Sequence, residues 1–315
     1  MTLEYELREY ASTTVEWIAG KPATRDHFIG DKLVLWNRAG GGANAGLVAK
    51  VATLDHFTPR NNSVRSNNSF TETTAACGTG DSISDALAWS HASSARESQY
   101  KSTYIVAYRN LNAVVAYAMD GAGVSWVLSS EASMGSDFGF ESAGDRFYQP
   151  HDATQLANGH VLLMDDGLDR PNCTAPFGKR CFSRAIEYEL DTRAKVARVV
   201  WQFSYPLTED AKVVEREARD VLLWDGGSVR QIATRGGADH YLVGFTNKFE
   251  HGDYHGNPGV VFEVDALGRI HASFDVRRTP SWDGCGLYRA VPTETIAGET
   301  NYAPRELWAG SSAVA

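Results

Sequence analysis

Hydrophobic and polar residues alternate in short runs along most of this chain, and turn residues separate the runs. Residues 160–164 form an apolar run between turn residues at 158–159 and 165–167, and residues 185–190 alternate apolar and polar side chains before the run 196–203. Runs of this length and period predict β-strands. Strands that repeat about every fifty residues or less are typical of the blades of a β-propeller.

The same order of strands and turns occurs elsewhere in the chain. One copy has predicted strands at residues 104–108, 113–119 and 124–128, and another has them at 228–232, 241–245, 259–264 and 270–274. A weaker copy opens the chain, where residues 3–7 and 14–18 are predicted as the outer strands of an incomplete first blade. The pattern predicts no amphipathic helix of about ten residues or more.

These repeats predict an all-β protein in which residues 1–315 form a single β-propeller domain. A propeller holds a chain of this length as one unit because each blade packs only on its neighbours. A β-sandwich pair is the alternative, and it is disfavoured because repeats near fifty residues seldom occur in sandwiches.

Composition excludes several function classes. The net charge of −9 without a basic run argues against nucleic-acid binding, which needs clustered Lys and Arg. The sequence has no apolar run long enough to span a membrane. The N-terminal residues show neither a basic start nor an apolar core, so no signal peptide is visible.

The four cysteines are compatible with an oxidising compartment. Cys173 and Cys181 enclose a loop short enough for a local disulfide, although the connectivity stays open, and neither belongs to a CxxC pair that would favour a metal. N-glycosylation patterns begin at Asn61, Asn67 and Asn172. Together these features predict a secreted, periplasmic or secretory-pathway protein without a metal.

Six short phrases resemble, in order, a known enzyme family. They lie at residues 91–94, 108–114, 151–159, 165–167, 183–188 and 288–290. In this order they are similar to the arylsulfotransferases that work without the nucleotide donor PAPS, and the resemblance covers roughly residues 85 to 292.

The resemblance implies a six-bladed β-propeller, here with an incomplete first blade. It also implies transfer of a sulfuryl group from a phenolic sulfate donor to an acceptor phenol, through a sulfohistidine and without a cofactor. Such a reaction needs a neutral imidazole as nucleophile, donors to the sulfuryl oxygens, and an acid or base for the phenol oxygens. Positioning and charge stabilisation carry most of the catalysis, as in phosphoryl transfer.

The family motifs map onto three residues of the middle of the chain. His91 and His151 are implied to bind the sulfuryl group or the phenol oxygen, and Arg170 is implied to grip the sulfate with its planar pair of donors. The chain departs from the family where Ser93 replaces Asn, where Pro150 interrupts the phrase of His151, and where Asp166 replaces the usual Asn.

By the same resemblance, the nucleophile is implied to be His251, in a polar loop after the predicted strand 241–245. His255 and His240 are the alternatives. The remaining histidines occupy strand or turn positions without an evident partner and are predicted to be structural; they are His27, His56, His160 and His271.

A second function class stays open at this point, because a fold by itself implies no activity. The chain could be a non-catalytic propeller that binds partners through its rims. The oligomeric state and the natural phenols are also left open by the sequence.

Overall fold

The computed structural model of the protein shows an all-β chain. It describes residues 2–15, 23–36, 47–59, 87–168, 170–171, 182–205, 226–233, 239–245, 259–276 and 289–290. Within these ranges, helical structure is limited to the one-turn α-helix Thr53–His56 and the 3-10 turns Ala132–Met134 and Ala143–Asp145. The chain divides into two compact units, residues 1–222 and residues 223–315.

The first sheet contains four strands. Three of them are antiparallel and follow one another in the chain, and the fourth pairs with the second in parallel; they are β1 (Thr2–Val15), β2 (Ala23–Trp36), β3 (Leu47–Ala52) and β4 (Leu87–Ala88). The interpretation of this region as two outer strands was wrong. Residues 3–7 and 14–15 belong to the single strand β1, residues 16–18 lie outside the described residues, and the sheet's other strands follow β1.

The next strand, β2, was not predicted, and Gly30 and Asp31, residue types that are common in turns, lie inside it. Gly30 packs so closely on Leu54 that a Cβ there would lie 2.6 Å from its Cγ. Asp31 is buried and accepts hydrogen bonds from Ser90 and Ala92. Tertiary contacts therefore satisfy a polar group inside a strand.

The second and third sheets are antiparallel meanders in which each strand pairs with the next. The second sheet has four strands, which are β5 (Ala92–Glu97), β6 (Thr103–Tyr108), β7 (Ala113–Ala118) and β8 (Val124–Ser129). The third has β10 (Pro150–Gln155), β11 (Val161–Asp165), β12 (Arg184–Asp191) and β13 (Val196–Ser204), with the short strand β9 (Gly139–Phe140) added in parallel to β13.

The second unit contains one four-stranded antiparallel sheet among its described residues. Its strands match all four predicted segments and are β14 (Ser228–Ala233), β15 (Asp239–Phe245), β16 (Gly259–Asp265) and β17 (Ile270–Val276). The all-β prediction is confirmed, and the six-bladed arrangement and its single-domain closure stay predictions.

The second sheet is covered on both faces. Ile105, Val114 and Leu128 pack towards the third sheet in a cluster with Leu163 and Ile186. The alternate residues of the same strands pack with the first sheet in a cluster that includes Phe28, Leu33, Val106, Val115 and Tyr117. Burial of both faces explains why β7 is an apolar run rather than an alternating one.

The first strands of the second and third sheets, β5 and β10, contain mostly polar residues, and their polar side chains link the two sheets. Three hydrogen bonds link them: Ser93 Oγ donates to the Pro150 carbonyl at 2.7 Å, Ala153 N donates to Ser94 Oγ at 3.0 Å, and Arg96 donates to Asp152 at 2.8 Å. Just after β5, Ser98 Oγ donates to Gln155 Oε1 at 2.8 Å. Neither strand was predicted, since their sequences lack an apolar alternation.

A buried carboxylate also joins the first sheet to the second. Asp31 Oδ2 accepts the hydroxyl of Ser90 at 2.5 Å and the backbone N–H of Ala92 at 2.7 Å. Burial raises the pKa of Asp31 from 3.8 to about 6, against the opposing effect of these two hydrogen bonds. The native protein therefore holds this proton at pH values where the unfolded chain has released it.

Replacing Asp31 with Asn should remove a pH dependence of stability. Between about pH 4 and about pH 6 the native state binds more protons than the unfolded state at this site, so its contribution to stability falls as the pH rises, by about 3 kcal/mol in all. The difference in unfolding free energy between wild type and Asp31→Asn, measured in urea, should fall by that amount from about pH 4 to about pH 7. Asp120→Asn, in an exposed turn, is the control, and a difference that does not vary with pH would contradict the assignment.

Candidate functional site

Three of the predicted site residues lie where the strand ends of two neighbouring sheets meet. We call this region the shared edge. In the second sheet, the end of β6 and the start of β5 meet at this edge, and in the third sheet the end of β11 and the start of β10 do so. His91, His151 and Arg170 belong to these strand ends and turns. A side-chain amide crosses the edge, where Gln149 N donates to Asn112 Oδ1 at 2.7 Å.

His91 is held in a conformation that a non-glycine residue rarely adopts. It directly precedes β5 with a φ of 49°, in the left-handed region. Its neighbours Ser90 and Ala92 both donate to Asp31, and its carbonyl oxygen accepts Arg109 N at 3.0 Å. The backbone on both sides of the histidine is thus anchored, which maintains the unfavourable conformation.

His151 lies inside β10 at a bulge, where the register shifts between His151 and Thr154. Gln149 and Asp152 on either side have φ values of 51° and 53°. The imidazole is 1% exposed. His151 lies ahead of the predicted strand 160–164, which is β11, but it belongs to a strand of its own, β10, that was not predicted.

The Nδ1 atom of His151 faces two acceptors. The carbonyl oxygen of Gln149 lies 3.2 Å from it, and Oδ2 of Asp166 lies 2.9 Å from it. Neither oxygen can donate when Asp166 is ionised, so Nδ1 carries the proton and Nε2 is the basic nitrogen of the neutral ring. Asp166 is completely buried, which strengthens its attraction to a protonated imidazole.

Arg170 is buried and held by a carboxylate and two rings. One of its terminal nitrogens donates to Asp165 Oδ2 at 2.6 Å and the other to the Arg146 carbonyl at 3.2 Å. Its guanidinium carbon lies 4.1 Å from the centre of the Phe182 ring and 5.4 Å from that of Tyr148. These contacts fix the direction of the guanidinium plane.

Asp165 accepts hydrogen bonds from several groups at this end of the third sheet. It is fully buried and accepts from Arg170, from Arg184 Nε at 2.9 Å and from Tyr148 N at 2.9 Å. Gly167 completes the turn with a φ of 77°, and a Cβ there would lie 1.9 Å from the Phe182 carbonyl oxygen. Glycine is therefore required for Phe182 to approach the turn that carries Arg170.

The Arylsulfotransferase (ASST) family matches residues 42–210, more than half of the chain. The chain belongs to the arylsulfotransferase family. The matched region contains His91, His151 and Arg170, and residue 251 lies beyond it. No curated protein matches the chain. Membership supports an arylsulfotransferase-type activity acting on small molecules.

The loop implied to carry the family nucleophile lies outside the described residues, and so do His251 and His255. Residues 246–258 connect the end of β15 to the start of β16. The alternative His240 lies at the start of β15, the other end of that strand. Its Nδ1 is 2.6 Å from Glu263, and its ring lies 4.5 Å from that of His271. This position separates His240 from the loop end of its sheet.

Two histidines predicted to lack partners have them. His160 pairs with Glu187 at 2.7 Å, and His271 pairs with Asp265 at 3.0 Å. Hydrogen bonding to His271 is the main reason that the pKa of Asp265 is lowered. His160 with Glu187 occupies the same places in its sheet as His240 with Glu263, so the two sheets repeat this pair.

The sequence analysis missed the carboxylates that hold the site. The Asp165-Asp166-Gly167 phrase was recognised, but only as a turn and a departure from the family. Asp31 lies 59 residues before its partner Ser90, so no local pattern links them. The buried Arg109, beside His91, was part of a family phrase and was not singled out.

Other kinds of site are not seen in the part of the chain that the structure describes. No group of three or more His, Cys, Asp or Glu residues there is arranged to hold a metal ion. Among the same residues, no helix has the length and apolar character needed to cross a membrane. All four cysteines, including the predicted pair Cys173 and Cys181, lie outside the described residues.

Replacing Asp165 with Asn should strongly destabilise the protein. The change removes the carboxylate charge shared by two buried guanidinium groups, and loss of one partner of a buried ion pair costs about 3–5 kcal/mol. Chemical denaturation measures this loss of unfolding free energy. Asp191→Asn, at the opposite end of the same sheet and in contact with solvent, is the matched control with little effect. Equal stability of the two variants would contradict the role of Asp165.

Proposed function

We propose that the protein transfers a sulfuryl group from a phenolic sulfate ester to an acceptor phenol, through a sulfohistidine and without PAPS. The observation that carries this proposal is the shared edge of two neighbouring sheets within the family-matched region, with His91, His151 and Arg170 at its strand ends. Family membership supports the general activity, and the chemistry of these three side chains supports the finer mechanism.

The arrangement suits an anionic group that develops charge on its oxygens. Arg170 is permanently charged and directionally fixed by Asp165. His151 offers a basic Nε2, or a donor when protonated, to a phenol oxygen. His91 supplies a second imidazole at the same edge. Buried donors fixed in advance stabilise a transition state without reorganisation, and this is the largest contribution that a protein makes to such transfers.

The proposed cycle has two displacements. In the first, a ring nitrogen of His251 forms a bond to sulfur while the bond from sulfur to the donor oxygen breaks, and the donor phenol leaves. In the second, the acceptor oxygen forms a bond to sulfur, and the electron pair of the nitrogen–sulfur bond returns to His251. Each half-reaction also moves one proton to or from a phenol oxygen.

The remaining expectations belong to this proposal. They are a six-bladed propeller formed by residues 1–315, a secreted, periplasmic or secretory-pathway location, and a disulfide between Cys173 and Cys181. Mass spectrometry of the unreduced protein after digestion tests the disulfide directly: a linked pair of peptides supports it, and free thiols at both positions contradict it.

A chromogenic donor tests the reaction. With 4-nitrophenyl sulfate, release of 4-nitrophenol should depend on an added acceptor phenol, and the acceptor sulfate should appear in equal amount by mass spectrometry. Parallel lines in double-reciprocal plots are expected for a ping-pong cycle. Release into water without acceptor would indicate a sulfatase-like enzyme, and no release at all would favour a binding module.

Replacing His251 with Ala should abolish turnover with the fold retained, because no other group would form the covalent intermediate. The matched control is His255→Ala in the same loop, which should keep most of the activity. Intact-protein mass after brief incubation with donor alone should increase by one sulfuryl group in wild type and not in His251→Ala. An active His251→Ala variant with an inactive His255→Ala or His240→Ala would transfer the nucleophile to that residue.

A further inference from the structure

We infer that Asp166 sets the proton affinity of His151 and so makes His151 the group that exchanges a proton with both phenol oxygens. The inference rests on the proposed function and extends it to a positioning residue that the family match does not assign. Its physical basis is a buried carboxylate oxygen 2.9 Å from a buried imidazole nitrogen.

The backbone and the carboxylate act on the ring in different ways. The Gln149 carbonyl accepts from Nδ1 at 3.2 Å and thereby selects the tautomer with a basic Nε2. Asp166 adds a negative charge next to the same nitrogen. An opposite charge at this distance favours the protonated ring, and the low dielectric of a buried site increases the effect. The carbonyl thus orients His151, and Asp166 makes it more basic.

Two other carboxylates near His151 are in ion pairs. Asp165, at the end of β11, binds both Arg170 and Arg184. Asp152, the next residue in β10, binds Arg96 of β5 at 2.8 Å. Asp166 places a carboxylate oxygen 2.9 Å from the imidazole Nδ1. An ionised carboxylate at this distance favours the protonated ring.

The two consecutive aspartates, Asp165 and Asp166, have different roles at the site. Asp165 fixes the cation that binds the sulfuryl oxygens, and Asp166 adjusts the group that exchanges a proton. The negative charge of Asp166, which would oppose a bound sulfate if it stood alone, is offset when His151 is protonated. This explains how an aspartate can be accommodated where the family resemblance implies an asparagine.

His151 then accounts for both proton transfers of the cycle. In the first displacement, protonated His151 gives its Nε2 proton to the leaving phenol oxygen as the sulfur–oxygen bond breaks and the nitrogen–sulfur bond to His251 forms. In the second, neutral His151 takes the proton of the acceptor phenol as its oxygen bonds to sulfur and the nitrogen–sulfur bond breaks. Both histidines return to their starting states, and no further reactant is needed.

The sharpest test is the dependence of rate on the leaving group in Asp166→Asn. A poor leaving group such as unsubstituted phenol needs the proton, whereas 4-nitrophenol leaves readily as the anion. We expect kcat/KM to fall about 10- to 100-fold with phenyl sulfate and less than about threefold with 4-nitrophenyl sulfate. The high-pH limb of the kcat/KM profile with phenyl sulfate should move to lower pH by about one pH unit or more, because the pKa of His151 falls when the negative charge is removed.

Asp191→Asn is the matched control, because it removes a carboxylate from the same sheet away from the site. It should leave kcat/KM unchanged with both phenyl sulfate and 4-nitrophenyl sulfate. Thermal unfolding shows whether each variant folds. An equal loss on both donors with an unchanged pH profile would overturn the inference and show a merely structural role. Absence of transfer by the wild type would instead overturn the proposed function and the cycle with it.

A second measurement does not depend on turnover. In protein labelled with ¹⁵N-histidine, the His151 signals, assigned by comparison with His151→Gln, should show the proton on Nδ1 and a titration midpoint that falls in Asp166→Asn. A midpoint unchanged by the substitution, or a neutral ring protonated on Nε2, would contradict the effect of Asp166 whatever the catalytic result.

Discussion

Burial of three carboxylates is the constraint on which the candidate site depends. Asp31, Asp165 and Asp166 are almost completely removed from solvent. A buried charge is costly unless it finds donors or an opposite charge, so each carboxylate fixes its neighbours. Asp31 anchors the backbone on both sides of His91, Asp165 holds Arg170, and Asp166 faces His151. Each candidate side chain is thus positioned by a buried carboxylate.

The sheets supply the rigidity that makes this positioning effective. The second sheet packs on both neighbours through apolar residues, and polar side chains link its first strand to that of the third. A shift of one strand would break several of these contacts together. The bulges at the starts of β5 and β10 occur where His91 and His151 are presented, so the irregular backbone lies next to the functional residues.

Several acidic side chains at this shared edge are paired with basic side chains. Asp165 lies between two guanidinium groups, and Asp152 pairs with an arginine from the adjacent strand. Such compensation allows a guanidinium and an imidazole to stay buried next to acidic groups. Under the proposed function, the same groups serve two needs, since they stabilise the folded edge and provide fixed dipoles for a sulfate ester.

Local sequence patterns were sufficient to predict the all-β class, the strands β6 to β8 and β11 to β17, and, through the family phrases, the three residues of the shared edge. Alternation and turn residues carry that information because strand period and turn conformation are local properties. Strands β5 and β10 were missed because their polar residues are satisfied by a neighbouring sheet, and β2 was missed because Gly30 and Asp31 resemble a turn. The pairing of Asp31 with Ser90 and of Asp166 with His151 was decided only by the tertiary structure, because the partner of a buried polar group is determined by distance in space, which residue spacing along the chain does not encode.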